Sequence, residues 1–92
     1  MNPTTDALIC TMEECGELIQ ACSKVIRIAN DKQNIDKKRL AAAVYNLQQE
    51  IADVRTMLDI LVEKELIDRN ELPKMITEKR KKLRKWSPNV FK

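Results

Sequence analysis

The chain contains no histidine, a single glycine and only three aromatic residues among its 92 positions. The absence of histidine excludes zinc sites with imidazole ligands and histidine general bases. One glycine supplies too few of the positive-φ positions that tight hairpin turns require, so an all-β fold is excluded. Hydrophobic residues make up 43% of the chain, which is too many for a disordered protein. A small helical protein remains.

Long apolar runs are also lacking. No run approaches the roughly 18 residues of a membrane-spanning helix. The N-terminal residues 1–6 have no basic segment followed by an apolar signal sequence. These observations predict a soluble, cytoplasmic protein with no membrane partner.

The cysteines are few, odd in number and confined to one segment, at positions 10, 15 and 22. They lack the CxxC spacing of redox and zinc motifs. We expect Cys10, Cys15 and Cys22 to act as buried small hydrophobic residues in a reducing compartment rather than as disulfide partners or metal ligands.

The length bounds the architecture. Residues 1–92 can form one domain but not two hydrophobic cores. A chain of this size buries only roughly 60–65% of its unfolded surface, so an isolated monomer is marginally stable. A homo-oligomer is therefore expected.

Charge is divided unevenly along the chain. Residues 1–73 carry 9 basic and 13 acidic side chains, a net charge of −4, whereas residues 74–92 carry 8 basic and 1 acidic, a net charge of +7. An acidic body with a basic C-terminal helix and tail from about residue 74 suggests an anionic partner near the tail and cations on the body.

The first predicted helix begins near Thr5 or Asp6, either of which can cap it. Apolar residues with four-three spacing form two seams on this helix. The first seam consists of Leu8, Met12, Cys15, Ile19, Cys22, Ile26 and Ala29, and the second of Leu18, Ala21, Val25 and Ile28. Two seams predict a helix that is covered on two sides. Residues 30–34 are predicted to form the following loop.

The second predicted helix runs from Asp36 to about Leu66. Its apolar seam comprises Leu40, Val44, Leu47, Ile51, Val54, Leu58 and Leu61, beside a partial stripe of Ala43, Met57 and Ile60. A third helix is predicted to begin at an Asn70 cap, with Pro73 in its first turn, and to end near Trp86. The predicted fold is all-α: an antiparallel helical hairpin plus a third helix, assembled into a four-helix-bundle-like oligomer.

Four carboxylates occupy positions on these helices where apolar residues are expected. Glu14 lies on the line of the second seam, four residues before Leu18, and Glu17 shares that face. Glu50 and Asp53 lie seven residues before Met57 and Ile60, respectively. Charged residues are common in this chain, so neither pair would indicate a site by itself.

The register of the hairpin brings the two pairs together. The midpoint between them falls at residues 33–34, inside the predicted loop, so an antiparallel hairpin places the pairs at one level. Converging carboxylates repel one another, and a divalent cation removes that repulsion. Oxygen ligands without histidine or cysteine favour Mg²⁺ or Mn²⁺.

The segments Glu13-Glu14-Cys15-Gly16-Glu17 and Glu50-Ile51-Ala52-Asp53 resemble the EExxE and ExxD motifs of the all-α nucleoside triphosphate pyrophosphohydrolases, the MazG-like superfamily. The resemblance covers about residues 8–86. It implies Mg²⁺ ligation by Glu14, Glu17, Glu50 and Asp53, with Glu13 as an auxiliary acid. It also implies hydrolysis between the α and β phosphates of a nucleotide and assembly as a dimer or tetramer. Either Glu13 or Glu50 could accept the proton of the attacking water.

The C-terminal helix resembles the superfamily in part. Arg84-Lys85-Trp86 matches the end of a nucleotide-holding motif, but a lysine stands where the superfamily has an asparagine. We predict phosphate contacts from Arg84 with Lys79 or Lys82. For Trp86, stacking on a base and simple packing at the helix end are equally compatible with the sequence.

Two other functions remain open. A phosphoribosyl-ATP pyrophosphatase would share the metal site and differ in its substrate. A helical interaction module whose basic tail binds nucleic acid would explain the tail but not the four acids on apolar seams. We expect weak, nonspecific nucleic-acid binding at most.

Overall fold

A computed structural model describes residues 2–92 as three α-helices and a short 3₁₀ turn. The helices are α1 (Pro3–Ala29), α2 (Lys37–Glu63) and α3 (Leu72–Trp86), and the 3₁₀ turn covers Pro88–Phe91. The prediction of an all-α fold is confirmed. None of the helices within residues 2–92 combines the length and the apolar character needed to cross a membrane.

Helix α1 begins two to three residues before the predicted start. Asn2 has an extended backbone, and its side-chain oxygen accepts a hydrogen bond of 2.7 Å from the backbone N–H of Thr5. Pro3 fits the first turn, where no hydrogen-bonded N–H is required. Asn2 is therefore the cap, and the prediction of Thr5 or Asp6 was wrong.

Helix α2 begins one residue after the predicted start, with Asp36 as its cap, and ends earlier than predicted. The Asp36 carboxylate accepts hydrogen bonds from the backbone N–H groups of Lys38 and Arg39. At the other end Glu65 adopts a left-handed conformation with φ of 60°. The backbone N–H groups of Glu65 and Leu66 then bond to carbonyls of the last turn, which is the Schellman termination, and the helix stops at Glu63.

Helices α1 and α2 form the predicted antiparallel hairpin, and its seam is narrow. The seam residues of α1 are Ala7, Thr11, Glu14, Leu18, Ala21, Val25 and Ile28, and those of α2 are Leu40, Ala43, Leu47, Glu50, Val54, Met57 and Leu61. Both sets follow four-three spacing, as in knobs-into-holes packing. The second predicted seam of α1 thus faces α2.

The first predicted seam of α1 is largely exposed within this chain. Ile19 is 70% exposed, and Met12, Ile26, Cys22 and Leu8 are exposed beside it. On α2 three exposed apolar residues each follow a seam residue by one position: Val44, Ile51 and Leu58. Because the helices are antiparallel, residues one position after the seam point to the same side of the hairpin on both helices. We call these eight residues the apolar face.

Helix α3 stands apart from the hairpin. No Cα atom of α3 lies within 8 Å of one in α1 or α2, for the residues that the structure describes. Its cap position is Glu71, with no side-chain cap bond, rather than the predicted Asn70, and it ends at Trp86 as predicted. The 3₁₀ turn, which was not predicted, places Phe91 against α3, with the Arg84 guanidinium 5.2 Å from the ring centre.

The cysteines differ from their prediction. All three are free, but Cys10 and Cys22 are exposed and Cys15 is half-buried. Helix α2 covers only the seam of α1, and all three cysteines lie beside that seam. The prediction that they are buried is wrong for this chain, although Cys22 belongs to the apolar face.

Candidate metal centre

Four carboxylates converge at mid-height of the hairpin. One oxygen from each of Glu14, Glu17, Glu50 and Asp53 lies within 4.8 Å of the other three. Glu14 and Glu50 are half-buried, whereas Glu17 and Asp53 are exposed at the rim. The structure brings together the four residues that the sequence predicted as metal ligands.

Helix geometry explains the cluster. Glu14 and Glu50 occupy seam positions and therefore point between the helices. Glu17 lies three residues after Glu14, and Asp53 lies three residues after Glu50. This spacing places both on the side of the hairpin opposite the apolar face. One side of the hairpin is thus acidic at this level and the other is apolar.

The two seam carboxylates each have a buried oxygen without a partner. Oε2 of Glu14 and Oε2 of Glu50 are shielded from solvent and make no hydrogen bond. Buried carboxylate oxygens normally have partners, so these two atoms are exceptions to the usual pairing.

Burial and charge act on these two groups in the same direction. Burial, followed by the neighbouring charges of Glu17 and Asp53, raises the pKa of Glu14. The pKa of Glu50 is raised by burial first and then by the charge of Glu17. Both groups therefore resist ionisation in the metal-free protein.

The raised pKa values lead to a pH prediction for the metal-free protein. A carboxyl with a higher pKa in the folded chain binds its proton more tightly there, so protonation stabilises the fold, and this gain is lost as the pH rises through the folded-state pKa. We expect the Tm in EDTA to rise as the pH falls from about 8 to about 5. Thermal melts followed by circular dichroism test this.

The matched control for the melts is the double variant Glu14→Gln, Glu50→Gln, which lacks both titrating groups. Its Tm should vary less over the same interval. A wild-type Tm that falls on acidification, or equal slopes for the two proteins, would contradict the assignment of the effect to these groups.

No family model matches the chain. No curated protein and no solved structure matches it significantly.

The donor set fits a hard divalent cation. Carboxylate oxygens are the ligands of Mg²⁺ and Mn²⁺, and two of them here lack any other partner. Within residues 2–92 the ion pairs are Glu71–Lys74 and Glu78–Lys81, both in the region of α3. No lysine or arginine nitrogen of these residues therefore lies within 4.0 Å of a carboxylate oxygen of the cluster. A bound cation would satisfy the orphan oxygens and offset the repulsion among the four acids.

The remaining predicted site residues lie elsewhere. Glu13 is exposed on α1 and is not a member of the four-carboxylate cluster. Its charge contributes to raising the pKa of Glu14. Lys79, Lys82, Arg84 and Trp86 lie on α3, which the structure does not bring to the cluster of the same chain. Lys85 Nζ lies 5.2 Å from the Trp86 ring centre.

Sequence reasoning missed a cleft that adjoins the cluster on the side of the α1–α2 loop. This open cleft of about 820 Å³ is bordered by Glu17 and Glu50 at one end and by Lys24 and Arg27 further along α1, with Asn46 on α2. The signal was present in the spacing, because Lys24 follows Glu17 by seven residues and so shares its helix face.

Proposed function

We propose that the chain is a Mg²⁺-dependent nucleotide pyrophosphohydrolase. It would cleave the α–β phosphoanhydride of (deoxy)nucleoside triphosphates to a monophosphate and pyrophosphate. The observation that carries this proposal is the convergence of Glu14, Glu17, Glu50 and Asp53 within 4.8 Å. These four residues belong to the EExxE and ExxD segments that resemble the MazG-like superfamily.

The cluster supports this reaction chemically. Glu14, Glu17, Glu50 and Asp53 would hold the cation, with Mn²⁺ as a substitute for Mg²⁺. When bound, the ion neutralises phosphate charge and lowers the pKa of water. No glycine-rich phosphate loop exists in this sequence, so binding of the phosphates depends on the cation and on basic side chains.

The residues also provide a proton acceptor. Water oxygen attacks the α-phosphorus, its proton passes to a carboxylate oxygen of Glu50 or Glu13, and the bridging oxygen leaves with the electron pair as part of pyrophosphate.

The apolar face supports assembly as a homodimer or homotetramer. Eight exposed apolar residues on one side of a two-helix hairpin form a surface that soluble monomers rarely display. A second copy that pairs its own apolar face with this one would complete a four-helix bundle and leave each acidic cluster on the outside.

A nucleotide screen tests the function. We expect pyrophosphate release from one or more nucleoside triphosphates, dependent on Mg²⁺ or Mn²⁺ and abolished by excess EDTA. Phosphoribosyl-ATP belongs in the screen, because a phosphoribosyl-ATP pyrophosphatase would use the same cluster. Release of single phosphates only, or full activity in EDTA, would refute the proposal.

The nucleic-acid module has one observation in its favour, which is the position of α3. This helix carries 7 basic residues and 1 acidic residue and stands clear of the hairpin. A nucleic-acid-binding function would leave the convergence of the four carboxylates without a role. Tight RNA or DNA binding that weakens steeply with salt, with no nucleotide turnover, would favour it over the hydrolase.

A further inference from the structure

The cleft beside the cluster is bipolar. Its acidic end is formed by Glu17 and Glu50, and its basic end by Lys24 and Arg27, with the amides of Gln20 and Asn46 among the residues between. Lys24 lies two helical turns beyond Glu17, about 10.5 Å along the axis of α1. The cleft therefore runs along the helix from the proposed cation site toward the loop.

Helix geometry directs the two cations and Glu50 into the cleft. Side chains on a helix lean toward its N-terminus, so Lys24 and Arg27 lean back toward Glu17. Glu50 on the antiparallel α2 leans the opposite way, toward the loop and the two cations. The long side chains of Lys24 and Arg27 shorten the distance between the basic and acidic ends of the cleft. An elongated anion can span the distance that remains.

The two cations have no carboxylate partner. Within residues 2–92 the ion pairs shorter than 4.0 Å involve neither Lys24 nor Arg27. The loop acids Asp31 and Asp36 border a second, smaller cavity with Lys24 and Arg27, and each uses its Oδ1 atom on the backbone. Asp31 accepts hydrogen bonds from the N–H groups of Gln33 and Asn34, and Asp36 caps α2.

We infer that Lys24 and Arg27 bind the terminal phosphates of the substrate, the part that leaves as pyrophosphate. This inference rests on the proposed function, because the acidic end must hold the cation. A polyphosphate would then lie along α1, with its nucleoside directed away from the α1–α2 loop. A single phosphate is too short to engage both ends, so the cleft selects di- and triphosphate groups.

Binding of inorganic pyrophosphate tests the inference without turnover. Mn²⁺ binding is measured first by electron paramagnetic resonance, and pyrophosphate binding in the presence of Mn²⁺ is measured by calorimetry. We expect Lys24→Gln and Arg27→Gln each to weaken pyrophosphate binding about tenfold, because each removes a charge-assisted contact. Mn²⁺ affinity should be unchanged or slightly higher.

Two variants serve as controls. Lys32→Gln removes an exposed loop cation that does not border the cleft, and it should bind pyrophosphate like the wild type. Lys24→Arg keeps the charge and should retain most of the affinity. Circular dichroism of every variant verifies that the helices persist.

The outcomes separate the two proposals. If Mn²⁺ binds but pyrophosphate does not, or if its affinity is unaffected by Lys24→Gln and Arg27→Gln, the inference is wrong and the proposed function stands. The same conclusion holds if only Arg84→Gln weakens pyrophosphate binding, because α3 would then supply the contact. If the wild type binds no Mn²⁺, the proposed function fails and the inference with it.

Discussion

Replacing Glu50 with glutamine is expected to reduce pyrophosphate release by a factor on the order of 100 or more. The substitution keeps the shape of the side chain and removes the charge that would bind the cation and accept the proton. Glu14→Gln, Glu17→Gln and Asp53→Asn should also lose most activity. Steady-state rates at saturating Mg²⁺, together with Mn²⁺ affinity, measure the effect.

Stability distinguishes this loss from unfolding. Each substitution removes one charge from a repelling cluster, so Glu50→Gln should raise the Tm of the metal-free protein while the helix content stays constant. Glu63→Gln is the matched control, because it neutralises an exposed acid at the end of the same helix. Near wild-type rates in all four cluster variants would show that these acids are ordinary surface groups.

Replacing Ile51 with glutamate should dissociate the proposed oligomer. Ile51 is 43% exposed in the single chain and lies in the apolar face opposite the acidic side of the hairpin. In a closed dimer that pairs two such faces, the new charges would be buried without partners, which strongly destabilises an interface. Sedimentation velocity at micromolar concentration should show a shift from dimer or tetramer to monomer.

The control for this change is Ala52→Glu. Ala52 is the next residue along α2, is exposed and lies outside the apolar face. It adds the same charge to the same helix, and the oligomer should persist. A wild-type protein that sediments as a stable monomer would refute the assembly, and an Ile51→Glu protein that remains oligomeric would place the interface elsewhere.

The acidic cluster could be predicted from the sequence because two features agree: the seam positions of the acids and their distances from the α1–α2 loop. Glu14 and Glu50 replace apolar residues at seam positions, and the two pairs are equidistant from the loop. Seam position fixes the direction of a side chain, and loop position fixes the register of an antiparallel pair. These two constraints suffice to bring four carboxylates to one point.

Other features depended on information that periodicity does not carry. The helix ends are decided by single backbone and side-chain bonds, such as the Asn2 cap and the left-handed Glu65, where sequence preference would favour glycine. The choice between two apolar seams on α1 is decided by α2, which buries the seam containing Ala21. Spacing alone left both seams equivalent.

The separation of α3 from the hairpin was also not evident from the sequence. Leu72, Met75, Ile76 and Leu83 give α3 a thin apolar side, and Met75 and Ile76 remain exposed. That side is interrupted by Lys79, so α3 offers little area for packing on the hairpin. The basic residues predicted to bind substrate consequently lie away from the cluster of their own chain.

The thin seam of the hairpin has a consequence for how the protein behaves on dilution. Three of its six buried residues are alanines, Ala7, Ala21 and Ala43, which bury little apolar area each. Such a hairpin has a small stabilising core against the repulsion of four acids, and subunit association would supply the remainder. Folding, assembly and cation affinity are then linked by mass action, as in obligate oligomers. Turnover per chain would fall when the protein concentration drops below the dissociation constant of the oligomer, and Mg²⁺ would shift that constant toward tighter association.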